Sequence, residues 1–296
     1  MKIIDPKVTK VLDFEGTDNF YKSVARAARI CYASDKTTDD IELIKRLIYN
    51  GHYSPFAHAI VYVSRNKYYG LDYYDEVMND IFEECRLNKY AIKIPCKFSC
   101  LEDFVYIING RVIVESIDSV INNYKHNNFT SNFDVLEKFL QYLKHYELIP
   151  DACHRFLSFI VDTSIGCTRE IGTHHDDFYK CEQSTRYCNF SKDKFGGEVA
   201  FNRPYWIEKE NDQSSEYKLW KSSMQIAEKN YVDMLSLGMT TDQTRGVLPI
   251  DTHSRAILTA TTNEWNHFIR LRLKGYTGKP HGDIAIIAGM INEMIN

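Results

Sequence analysis

The stretch "RFLSFIVDTSIGCTREIG", residues 155–172, constrains the fold most. It opens with apolar and β-branched residues in strand style and passes directly into a helical pattern. Similar segments are scattered along the chain. "AIVYVS" after His58 alternates as a strand, and "SRAILTATT" reads as another. "FVYIINGRVIVESIDSVINNYKH" predicts a strand, a turn at Asn109-Gly110 and a helix. The remaining segments have helical spacing. "DNFYKSVARAARICYAS" starts after Asp18, which can cap it, and "DDIELIKRLIYNG" is stopped by Gly51. "YYGLDYYDEVMNDIFEECRLNKY" is tyrosine-rich and helical, and "FDVLEKFLQYLKHYELIP" is amphipathic and closed by Pro150. "SSEYKLWKSSMQIAEKNYVDMLSLG" ends at Gly238, and "TTDQTRGVLP" is a short helix capped by Thr241. "NEWNHFIRLRLKG" and "GDIAIIAGMINEMI" complete the helices. Strands mixed with helices, without regular βαβ alternation, predict an α+β fold.

Composition narrows the function. At 296 residues, with 44% hydrophobic and 26% charged content, the chain has the makeup of a soluble globular protein. The net charge of -4 gives no general attraction to nucleic acid or an anionic membrane. Any anionic ligand must therefore be met by local arginines. The N-terminus "MKIIDPKVTKVLDFEG" has no signal-peptide pattern, and no run is long and apolar enough to span a membrane, so a cytoplasmic protein is expected. Eight cysteines are scattered without a CxxC pair, which reads as free thiols, mostly buried. No linker or repeat separates the segments. A single domain over 1–296 is expected, with residues from about 65 to 155 as a mainly helical block built into it.

One segment is rich in chemistry: "HHDDFYKCEQSTRYCNFSKDKFGGE", His174 to Glu198. A serine two residues before an arginine, as in Ser184 and Arg186, can join it in holding a phosphate. Glu182 adds an acceptor for a ribose or base. Three such residues can equally sit on an ordinary polar surface. Arg245 in "TRGVLP" and Arg272 in "HFIRLR" stand near helix ends, where they can anchor anions or simply form surface ion pairs. "GHYSPFAH" is a proline-fixed turn with Ser54 between two histidines, a structural turn on its own terms. His174, His175 and Asp176 are adjacent, so their side chains diverge on a helix and offer no metal site.

Taken in order, "ARICYAS", "GHYSPFAHA", "CEQSTRYCNFSKDKFGGEV", "RPYW", "EYKLW", "AEKNYVDML", "TRGVLP" and "NEWNHFIRLR" resemble the flavin-dependent thymidylate synthase (ThyX) family, across residues about 20–63 and 156–275. The resemblance implies a ThyX-like fold, a central and mostly antiparallel sheet flanked by helices. It implies reductive methylation of dUMP to dTMP, with methylenetetrahydrofolate as carbon donor, FAD as hydride carrier and NADPH as reductant. It implies a homotetramer with active sites shared between subunits. By resemblance Ser184, Arg186 and Arg245 hold phosphate and sugar, and Glu182 and Gln183 contact nucleotide or flavin. Arg272 sits at the uracil and favours its ionised form; with Ser184 it forms the catalytic pair. His52 and Ser54 line the folate and flavin site, and His267 lies on the flavin side.

The chain departs from the family where its motif begins R-H-R. Those positions are here His174, His175 and Asp176, or Thr173, His174 and His175 with a one-residue shift; both arginines are lost in either register, and in the first one is reversed in charge. A family Asn-x-Arg is here Thr261 and Asn263. His174 and His175 remain candidates for the flavin, and Lys180 and Lys192 for replacement cations. The losses fall on the flavin side and the nucleotide side is kept. Two further readings follow from that asymmetry: a paralogue that modifies a pyrimidine nucleotide differently, for example by hydroxymethylation, and a non-catalytic nucleotide-binding protein.

Overall fold

The computed structural model describes residues 1–34, 38–64, 75–96, 103–123, 131–148, 155–174, 178–208 and 213–295. In chain order, β1 (Lys2–Ile4) and β2 (Lys7–Val11) precede α1 (Phe20–Tyr32), α2 (Asp40–Tyr49) and β3 (Ile60–Ser64). Next come α3 (Glu76–Leu87), β4 (Ile92–Cys96), β5 (Asp103–Asn109), α4 (Gly110–Asn123) and α5 (Asn132–Lys144). β6 (Phe156–Ser164) runs straight into α6 (Ile165–Ile171), followed by β7 (Phe178–Glu182) and β8 (Ala200–Asn202). The chain closes with α7 (Ser215–Ser236), α8 (Thr241–Thr244), β9 (His253–Thr261), α9 (Thr262–Arg272) and α10 (Gly282–Ile295). This is the α+β architecture expected. The β2–β6, β7–β9, β3–β5 and β4–β5 pairs are antiparallel, and β1–β8 is parallel.

The chain divides into two compact units. The first holds Met1–Val11, Ile30–Ser34 and Leu157–Asn296. Its main sheet has the order β2-β6-β9-β7. Alternation puts Val8, Phe159, Val161, Ala256, Leu258 and Ala260 on one face, packed with Trp265 and Phe268 of α9 and Ile284, Ile287 and Ile291 of α10. Each large side chain buried this way contributes roughly 1.5–3 kcal/mol. Trp265 keeps its polar end satisfied by donating its indole N–H to the Leu157 carbonyl, at 2.9 Å. A second cluster forms where α7 lays Tyr217, Trp220, Met224 and Tyr231 against Val199 and Phe201.

The second unit holds Leu12–Arg29 and Asp35–Phe156. Its sheet has the order β3-β5-β4, backed by the buried faces of α3, α4 and α5. The strand β5 enters α4 without the turn expected at Asn109-Gly110. Asn109 instead turns its side-chain oxygen back to the Val112 N–H, 3.0 Å away, and so starts the helix. Gly110 lets this junction approach its neighbours. A Cβ there would lie 2.7 Å from the Phe56 carbonyl oxygen and 2.7 Å from the Phe20 ring. Two helix starts also differ from the sequence reading. Asp18 lies in a short 3-10 turn, Thr17–Asn19, ahead of α1, and α8 is capped by Thr240 rather than Thr241, with Gln243 completing a capping box. Pro150 lies outside the described residues, and α5 ends before it at Lys144.

Replacing Gly110 with Ala should lower the free energy of unfolding by about 1–3 kcal/mol, because the backbone oxygen in its path cannot swing away. Urea denaturation of G110A against the parent protein, followed by circular dichroism, measures it.

Candidate functional site

The chemistry-rich segment is organised by β7. Its five residues pair with β9, from Phe178 opposite Ala260 to Glu182 opposite Ala256. One group of expected site residues gathers before the strand and another after it. At the end of the strand, the Glu182 carboxylate takes donors from three elements. Its Oε1 accepts from the Thr168 hydroxyl of α6 at 2.6 Å and the Ser254 hydroxyl of β9 at 2.7 Å. Its Oε2 pairs with the Lys180 ammonium at 3.0 Å, and Lys180 also donates to the Thr168 carbonyl. Both oxygens of Glu182 are thus engaged within the fold. Lys180, a candidate for a replacement cation, is committed to the same carboxylate.

Beyond Glu182 the chain leaves the sheet. Gln183 is buried, and its N–H donates to the Arg255 carbonyl at 2.8 Å. Ser184 donates its N–H to the Cys31 carbonyl at 2.9 Å, and its hydroxyl accepts the Arg186 N–H at 3.3 Å. This small serine turn sets the direction of Arg186. Arg186 is exposed and lies over the Tyr187 ring at 5.5 Å. Arg245, just past α8, comes to the same place. Both guanidinium groups sit beside Asp242 Oδ1, Arg186 at 3.2 Å and Arg245 at 3.4 Å. The Arg186 and Arg245 side chains are therefore brought together, and Ser184 meets the main chain of Arg186. Asp242 was not among the expected site residues. Its three-residue spacing to Arg245 is readable from sequence as a helical ion pair, whereas its contact with Arg186 depends on the fold.

Thiols surround the same loop. Cys31 accepts a hydrogen bond on its carbonyl from the Cys188 thiol at 3.9 Å. A hydrogen bond with Cys181 is the main reason the Cys31 thiol lies below its ordinary range, against the opposing effect of burial. Cys31, Cys85, Cys167, Cys181 and Cys188 are free thiols, and all but Cys31 are buried, in line with the sequence reading for the described residues.

Before β7 stands the second group. His174 is half buried, and His267, on α9, is exposed. Their rings are 6.1 Å apart and nearly perpendicular, and His174 also packs on Phe178 and Phe268. Arg272, at the end of α9, donates from Nε to His174 Nε2 at 3.2 Å and from Nη2 to the Thr173 hydroxyl at 2.9 Å. Glu170 lies 3.9 Å from Arg272 Nη1. In the Arg272 bond His174 presents Nε2 as the acceptor. Two imidazoles and a partly exposed guanidinium suit a planar ring that carries electron density, so the donor set fits a flavin ring. His175, Asp176 and Asp177 lie outside the described residues. His52 and Ser54 belong to the second unit, exposed on either side of Tyr53, whose hydroxyl donates to Asp118. No group of three potential metal ligands occurs among the described residues, and no described helix is long and apolar enough to cross a membrane.

Comparison with known proteins bears on this arrangement. The family profile described as thymidylate synthase complementing protein matches residues 106–295. A probable flavin-dependent thymidylate synthase of Paramecium bursaria Chlorella virus 1 is 26% identical over 152 residues, covering 48% of this chain and 67% of that protein. A flavin-dependent thymidylate synthase of Pyrococcus abyssi (strain GE5 / Orsay) is 30% identical over 107 residues, covering 36% of this chain and 41% of that one. A crystal structure of a UMP/dUMP methylase PolB from Streptomyces cacaoi bound with 5-Br dUMP aligns over 99% of this chain and 91% of that chain, at 15% identity and a TM-score of 0.42.

Glu182→Ala would leave Lys180 without its carboxylate and the Ser254 hydroxyl without its acceptor, while the Thr168 hydroxyl keeps the Ile165 carbonyl. The expected loss is about 1–3 kcal/mol of unfolding free energy, measured by urea denaturation, with a smaller loss for Glu182→Gln.

Proposed function

The chain belongs to the thymidylate synthase complementing protein family and is a methyltransferase of that family, and we propose that it converts dUMP to dTMP by reductive methylation. The observation that carries this reading is the meeting of the Arg186 and Arg245 guanidinium groups beyond β7, with the Ser184 hydroxyl two residues before Arg186 on the same loop. Two guanidinium groups and a hydroxyl suit a phosphate monoester, which accepts planar, bidentate donors. Gln183 fixes the backbone behind this grip through its bond to Arg255.

Arg272 would face the uracil. A fixed cation near N3 and O2 stabilises the negative charge that makes C5 nucleophilic. Thr173 and His174 hold that guanidinium in place, so its charge needs no reorganisation when the ring ionises. His174 and His267 would hold the flavin ring beside it. FAD would supply the hydride there, with NADPH as its reductant and methylenetetrahydrofolate as the carbon donor. Ser184 and Arg186 follow the C-terminal end of β7, and Arg272 is held by Thr173 and His174, which precede its N-terminal end. The pocket would be shared between subunits of a homotetramer, as the family resemblance implies.

The test begins with the visible spectrum of the purified protein, before and after FAD, followed by dUMP. A bound-flavin spectrum that responds to dUMP, together with dTMP formation from dUMP, supports the reading. Folded protein that binds dUMP but stays colourless would replace it with nucleotide modification without flavin, or with binding alone. Arg245→Ala should weaken dUMP binding roughly tenfold to a hundredfold in titration calorimetry, the loss expected for one charge-assisted hydrogen-bond partner.

A further inference from the structure

The charges at the phosphate grip are not free in the folded chain. Arg186 and Arg245 both lie against one oxygen, Oδ1 of Asp242. The preceding residue, Thr241, donates its hydroxyl to the Arg186 carbonyl. The first turn of α8 therefore holds Arg186 by its main chain and its side chain together. The capping box of Thr240 and Gln243 fixes that turn independently of Asp242. All three charged side chains remain near half exposure, at 55% for Arg186, 43% for Arg245 and 52% for Asp242.

We infer that Asp242 is an internal stand-in for the substrate's phosphate, holding the two guanidinium groups together in the ligand-free enzyme and competing with the phosphate for them. The inference rests on the reading that Ser184, Arg186 and Arg245 bind the phosphate of dUMP. Two adjacent guanidinium groups repel each other, and a carboxylate between them offsets that repulsion. One shared oxygen leaves most of their N–H donors unused. A phosphate monoester has three terminal oxygens and can engage both forks at once. Ion pairs this exposed contribute little to stability, so Asp242 is displaced at small cost. Its negative charge stays nearby and opposes any anion that takes its place. A dianion, which gains most from two arginines, overcomes that opposition best.

The experiment compares the full-length protein with Asp242→Asn, which keeps the shape and removes the charge, and with Asp242→Glu, which keeps the charge. Titration calorimetry with dUMP, inorganic phosphate and deoxyuridine gives the affinities. Asp242→Asn should bind dUMP and phosphate roughly fivefold more tightly, with the gain largest at low salt. Deoxyuridine affinity should be unchanged, and Asp242→Glu should bind phosphate as the parent does. If the parent binds dUMP and the Asn variant binds dUMP and phosphate equally or more weakly, the competition is absent and the inference falls while the function stands. If phosphate binding tightens in the Asn variant but folded parent protein does not bind dUMP, the dUMP reading falls and Asp242 remains the counterion of an anion site. If neither ligand binds any of the three folded proteins, both fall.

Discussion

The Glu182 carboxylate fixes the frame on which the candidate site is built. It ends β7, and its oxygens tie that strand to α6 through Thr168 and to β9 through Ser254. Lys180, two residues back on the same strand, supplies the compensating charge. A partly buried carboxylate with this many donors is held in one place. The loop that follows therefore leaves the sheet in one direction. Gln183 and Ser184 continue the constraint by donating their N–H groups to Arg255 and Cys31. The direction of Arg186 is a consequence of these bonds rather than of its own side-chain preference.

The same strand separates two kinds of cation. Past its C-terminal end the arginines are half exposed and share a carboxylate that solvent reaches. Arg272, held by Thr173 and His174 ahead of the strand's N-terminal end, is three-quarters covered, with 25% exposure, and has the Glu170 carboxylate 3.9 Å away. The difference suits two tasks. A group that captures a mobile anion gains from accessibility and long-range attraction. A group that must stabilise charge developing on a ring gains from being fixed and poorly screened.

Much of the fold could be read from the sequence, and the reason is visible in particular elements. α1, α2 and α4 have helical periodicity strong enough to declare themselves, and β3, β6 and β9 are rich in branched and aromatic residues. β7 has neither signal. "FYKCE" carries a lysine and a glutamate in five residues, and it is a strand because β9 pairs with it along its length. β1, β4 and β8 were hidden in the same way, since a short strand is defined by its partner. In the site, the serine and arginines carried their own chemical meaning. What the sequence did not disclose was which acids sit beside them. The engagement of Glu182 with Thr168 and Ser254, and of Asp242 with Arg186, joins residues far apart in the chain.

Those acids separate the permanent ion pairs of the first unit from the exchangeable one. Arg255 is bound by Asp162 through two oxygens, at 2.7 and 3.2 Å, and Asp162 has only 10% side-chain exposure. Burial pushes the Asp162 carboxyl up, but hydrogen bonds and charge from His253 and Arg255 outweigh it and hold the group below the ordinary carboxylate range. Removing one partner from such a pair leaves a buried charge, so this pair is structural. Asp242 offers the opposite case: one oxygen, longer contacts and solvent on every member. In a chain with net charge -4, every cation at the site has an acid within reach, and burial decides which acids can let go. By that measure Arg186 and Arg245 are the ones a passing phosphate can claim.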